Sequence, residues 1–135
     1  MDLIVNIDVD DLSKAIAFYQ AAVGLRVARR FGSFDVEMLG TSSPIYLLVK
    51  AAGTRPSINT DEARRHQRHC MPVHLDFVVP EIEAAVSRAL NAGAAIEGEI
   101  ETHNWGREAH MADPFGHGIC FIEFLGRGYD EIASE

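Results

Sequence analysis

The sequence predicts an α+β domain made of two tandem βαβββ modules. Three observations carry that reading. An alternating apolar strand runs straight into an amphipathic helix near the N-terminus, three more strand candidates follow that helix, and the series begins again about 70 residues later. A ferredoxin-like βαββαβ order would leave two strands between the helices. Here three are followed by a fourth that opens the next unit.

Residues 3–9 alternate, with Leu3, Val5, Ile7 and Val9 on one face and Ile4, Asn6 and Asp8 on the other, as a strand with one apolar face requires. Asp11 is the expected N-cap of a helix whose Leu12, Ala15, Ile16, Tyr19 and Val23 recur at three- and four-residue spacing, and Gly24 stops it. Strands are expected over 25–31 and 34–39, parted by the Gly32-Ser33 turn signal, and over 45–50. In the second module, residues 73–79 set Val73, Leu75, Phe77 and Val79 against His74, Asp76 and Val78. A helix over 81–92 ends at Gly93, and strands over 94–101, 105–112 and 118–124 complete the repeat. The modules therefore occupy about 1–50 and 72–125 of one domain. Residues 51–71 form a connector with one helical turn expected around 61–67, and 126–135 form a polar, loosely held tail.

Composition bounds the function. The chain has 135 residues, 47% hydrophobic and 24% charged, enough for one core and ordinary for a globular domain. Its formal charge of -8 repels phosphate backbones and anionic lipid, so nucleic acid and membrane surfaces are not expected partners. Two cysteines, Cys70 and Cys120, in a chain able to build its own core suit reduced thiols, and the N-terminus lacks the basic and apolar regions of a signal peptide. A cytoplasmic setting is expected.

The greasier face of each helix-preceding strand should cover its helix, leaving Asn6 and Asp8 in one module and His74 and Asp76 in the other on the second face. If the two sheets curl side by side, those polar side chains converge in a cleft, the usual setting for a small organic ligand.

At this point the chain resembles the vicinal oxygen chelate superfamily, which includes glyoxalases, bleomycin resistance proteins and extradiol dioxygenases. The resemblance rests on Val9-Asp10-Asp11-Leu12, Ala15, Phe18-Tyr19 and Gly24-Leu25 in the first module. In the second it rests on His74-Leu75-Asp76-Phe77-Val78-Val79, Ala92-Gly93-Ala94, Trp105-Gly106 and Asp113-Pro114-Phe115-Gly116-His117. It implies an incompletely closed eight-stranded barrel, frequently a homodimer, with a metal site in many members. The implied ligand positions fall at Ile4, Tyr46, His74 and Cys120. Only His74 is a usual ligand type there, so no metal cofactor is expected. The cluster of His66, His69 and Cys70 is a rival set, but its flanking arginines repel a cation.

Each candidate has two readings. His74 is either a core histidine bonded to backbone or a cleft imidazole oriented by Asp76 or Asp8 and acting as a base or as a ligand-orienting donor. Asn6 and Asp8 either orient a substrate or sit at a solvated sheet edge. Tyr46 either stacks on a ligand or fills the barrel. Trp105 and Arg107 either clamp a planar or anionic ligand at the cleft rim, or cover the barrel end and pair with an acid. Along 105–112 the parity is ambiguous, because Arg107 and Met111 alternate with Glu108 and His110.

The expected function is binding of a small organic molecule among Asn6, Asp8, Tyr46, His74, Asp76, Trp105, Arg107 and Cys120. The chemistry would be that of a lyase or isomerase using His74 and Asp76. The alternative is a non-catalytic protein that sequesters its ligand. A purely structural module gives no reason for inward polar residues.

Overall fold

The computed structural model describes residues 1–134, and the chain divides into two compact units, Met1–Gln67 and a second from Arg68 onward. In the first, β1 (Val5–Val9) leads into α1 (Leu12–Val23), followed by β2 (Arg26–Phe31), β3 (Asp35–Leu39) and β4 (Ile45–Val49). The sheet order is β1-β4-β3-β2, with β1 and β4 parallel and the other neighbours antiparallel. Asp11 caps α1 by accepting the Lys14 N–H at 2.9 Å, and Gly24 ends it at φ 72°, where a side chain would be strained. Ala15, Phe18, Tyr19 and Ala22 of α1 are buried together with Ile7, Val9, Val36, Met38, Ile45 and Leu47, the inward faces of the strands. Parity then sets Asn6, Asp8, Tyr46, Glu37 and Asp35 on the opposite face.

The second unit repeats the plan with β5 (Leu75–Val78), α2 (Ile82–Ala92), β6 (Ala95–Ile96), β7 (Glu101–His103), β8 (Gly106–Ala112) and β9 (Gly118–Phe124). The order is β5-β9-β8-β6, with β7 also pairing β8, and β5 is parallel to β9. Ile82, Ala85, Val86 and Ala89 of α2 are buried, as are Phe77, Ala109, Met111, Ile119 and Phe121 on the strands.

Four expectations change. The single strand over 94–101 is two short ones. Residues from Ile96 to Glu101 span only the step from Met111 to Glu108 on β8, and the surplus leaves the ladder through Gly98. The helical turn around 61–67 does not form. Instead Arg64 ties the segment down, bonding Asp8 at 2.7 Å, Thr54 at 3.3 Å and the Arg55 carbonyl at 2.8 Å. The tail is not loose where Gly128–Glu131 forms a 3-10 turn, because Tyr129 packs against Trp105 and Phe124 at 5.0 and 4.8 Å. The opening strands are also shorter than their apolar alternation, so Leu3, Ile4 and Val73 are exposed and His74 stands just ahead of β5. Among the described residues no helix is long and apolar enough to cross a membrane.

Candidate functional site

The second unit brings three of the expected residues together. Asp76 on β5 pairs in register with Cys120 on β9, and Cys120 pairs with His110 on β8, so the three side chains form a row across three strands on the face away from α2. His74 folds back along β5, and its Nδ1 lies 2.8 Å from Asp76 Oδ1 and 4.0 Å from Cys120 Sγ. An ionised carboxylate only accepts, so beside it the neutral imidazole carries its proton on Nδ1 and leaves the Nε2 lone pair open. His74 is 49% exposed at its side chain, which excludes the core-histidine reading.

Cys120 is buried, and burial pushes its thiol up to about 12, with the Asp76 carboxylate adding to the shift. It is therefore a thiol, with Sγ 3.3 Å from His110 Nδ1. Arg68, Met71, His74, His110 and Cys120 border a cavity of about 170 Å³ with the backbone around Gly118. Arg68 is held there by Glu97 and by the carbonyl of His69. That pairing lowers the Glu97 carboxyl below its usual range.

In the first unit, Asn6, Tyr46, Glu37 and Arg29 form an equivalent row across β1, β4, β3 and β2. Arg29 donates to both Glu37 oxygens at 2.6 and 2.8 Å and to the Tyr46 hydroxyl at 3.0 Å, while that hydroxyl donates to Glu37 at 2.8 Å. Tyr46 stacks on Phe31 at 5.9 Å. Asp8 pairs with Arg64 at 2.7 Å, so its charge is met within its own unit.

The remaining two expected residues lie elsewhere. Arg107 points to the helix side, bonded to Glu83 of α2 and 3.9 Å from Glu123, which leaves Glu108 and His110 on the polar face. Trp105 stacks on His103 at 5.0 Å and packs against Phe124 and Tyr129. Sequence reasoning missed Arg29, Glu37, Arg68 and His110 as site neighbours. Only Arg29 and Glu37 carried a signal, opposite charges on adjacent strands either side of a turn.

A model of the glyoxalase-like domain family matches residues 4–122. Over 121 residues the chain is 31% identical to the anthracycline biosynthesis protein DauV of Streptomyces sp. (strain C5), covering 88% of this chain and 40% of DauV. The chain thus spans about two fifths of that relative's length. Among solved structures, the fosfomycin resistance protein FosX of Listeria monocytogenes superposes with a TM-score of 0.72 at 15% identity, covering 97% of this chain and 96% of FosX. TioX of Micromonospora sp. ML1 superposes with a TM-score of 0.70 at 15% identity, covering 93% and 99%. These likenesses show the same α+β fold.

The expectation of no metal is not supported. A FosX variant has been solved with Mn(II) and 1S,2S-dihydroxypropylphosphonic acid. In this chain one ligand atom each from His74, Asp76 and Cys120 lies within 4.8 Å of the others. Counting from the implied positions alone reaches His74 and Cys120. Strand pairing adds Asp76, and imidazole, carboxylate and thiolate are a donor set that a divalent transition cation accepts once the thiol proton is released.

Proposed function

Because the chain belongs to the glyoxalase-like family of the vicinal oxygen chelate superfamily, we propose that it binds a small organic molecule on the polar face of its second module. In this reading His74 moves a proton, as in a lyase or isomerase. The observation that carries this is the His74–Asp76 pair at 2.8 Å beside an open cavity. Asp76 holds the imidazole in one tautomer and stabilises the cation that forms when Nε2 takes a proton from substrate; the same nitrogen then returns it. Cys120, held as a thiol, serves recognition and not nucleophilic attack. The cavity is smaller than a drug-sized site, so it suits one small group or the reacting end of a longer ligand. His74, Asp76 and Cys120 are also the residues that would hold a divalent cation, which when bound supplies Lewis-acid polarisation of a substrate oxygen. A homodimer is part of the same reading.

Sequestration without turnover is the second reading. It is favoured by the acidic character of this face, where Asp76, Glu101 and Glu108 lie in a chain of net charge -8 and suit a cationic compound.

A thermal-shift screen of small organic compounds, followed by affinity and turnover measurements on His74→Ala and Asp76→Asn, tests both. Loss of turnover with binding retained supports proton transfer. Binding without turnover, weakened by about 1–3 kcal/mol in His74→Ala, supports sequestration. Unchanged binding and turnover in both variants overturn the site.

A further inference from the structure

We propose that Glu101, His103 and Glu108 form a second cation site, built on the β7–β8 hairpin and taking a divalent first-row transition metal. Glu101 and Glu108 are direct cross-strand partners, so two carboxylates face each other where like charges destabilise a sheet. Among the described residues, neither has a Lys or Arg as an ion-pair partner. The groups that meet them are imidazoles: His103 Nε2 lies 3.0 Å from Glu108 Oε1 and 3.6 Å from Glu101 Oε2, and His110 Nε2 lies 3.6 Å from Glu108 Oε1. One ligand atom from each of Glu101, His103 and Glu108 lies within 4.8 Å of the other two.

The imidazole is also pre-set. His103 is paired with Gly106, which presents no side chain opposite it, and the indole of Trp105 stacks on the ring at 5.0 Å and 10°, fixing its plane with Nε2 toward the carboxylates. One nitrogen and two carboxylates suit Zn(II), Co(II), Mn(II) or Fe(II). Mg(II) and Ca(II) prefer shells made of oxygen alone. The site shares no ligand with the His74, Asp76 and Cys120 group, so the two can be emptied separately.

Trp105 is the chain's only tryptophan and touches the proposed ligand directly, which gives a local readout. The chelator-treated full chain is titrated with Co(II), whose unpaired electrons quench a neighbouring indole, and tryptophan emission is followed. Saturable quenching that diamagnetic Zn(II) reverses is expected, with the same midpoint in His74→Ala. Glu101→Gln, which leaves the stacked pair intact, should raise the midpoint by about tenfold or more, since even outer partners of a metal ligand cost that much. His103→Ala should remove saturation. Quenching that does not saturate, that is unchanged in Glu101→Gln, or that disappears in His74→Ala overturns the proposal.

Discussion

The carboxylate of Glu123 accepts the backbone N–H of Ile82 at 2.7 Å, so the first turn of α2 is capped from a strand 41 residues away. Glu81, at the N-cap position itself, makes no side-chain cap bond, whereas Asp11 caps α1 from its own place in the chain. The two modules satisfy different orphan donors of the first turn by different means, the third N–H of α1 from its own N-cap and the first N–H of α2 from β9. Glu123→Ala should destabilise the protein by about 1–2 kcal/mol and Glu81→Ala by clearly less. Urea midpoints of the two variants check this.

Acid should loosen the first module through Glu37. Hydrogen bonds from Arg29, then from Tyr46, hold its carboxyl down at about 2, against 4.5 unperturbed. A lowered folded-state value means the contribution is complete above about pH 4.5 and fades as pH falls toward 2. The melting temperature of Glu37→Gln should therefore vary less than wild type across that window. Thermal melts at a series of pH values measure it.

The two cysteines should react at very different rates. Cys70 is exposed, while Cys120 is buried and its thiol is pushed up to about 12. At about pH 8, iodoacetamide should modify Cys70 first and leave Cys120 largely intact in the folded chain, because the thiolate is the attacking species. Peptide mass spectrometry over time resolves the two. Equal rates would mean that Cys120 is not shielded.

Two glycines should respond to alanine with very different losses. A Cβ at Gly106 would collide with the Glu123 carbonyl oxygen and come within 3.1 Å of the Phe124 Cα, both fixed in β9. At Gly118 the nearest atoms belong to the end of the Arg68 side chain, at 3.0 Å, which can swing aside. Gly106→Ala should cost about 1–3 kcal/mol or more, and Gly118→Ala far less. Denaturant melts of both variants compare them.

Much of the fold was legible because local signals agree with it. The apolar sides of the opening strands, the periodic faces of both helices, Asp11 and the glycines after each helix all point the same way. His74 and Asp76 were legible as neighbours because they lie two apart in an alternating run, although β5 itself begins only at Leu75. The facing of 105–112 was not, since Arg107 is charged yet points toward the helix, where Glu83 and Glu123 receive it. That places polar residues on both sides of β8 and erases the alternation. Arg68 was unreadable for a different reason. Its place beside Cys120 depends on how a connector without periodicity folds back, and nothing local encodes that.

In each module the opening strand pairs with the closing one, Asn6 with Tyr46 and Asp76 with Cys120, across 40 and 44 residues of chain. Loops of that length cost about 3 kcal/mol to close before any ladder bond forms. The hairpin of β2 and β3 and the strand-helix pair of β1 and α1 are local and can form early, leaving Ile7 and Val9 half covered until β4 arrives. In each half the longest-range pairing is therefore the one that waits on the last strand. During synthesis the opening strand must wait, without any strand partner, while the ribosome delivers the residues that complete it.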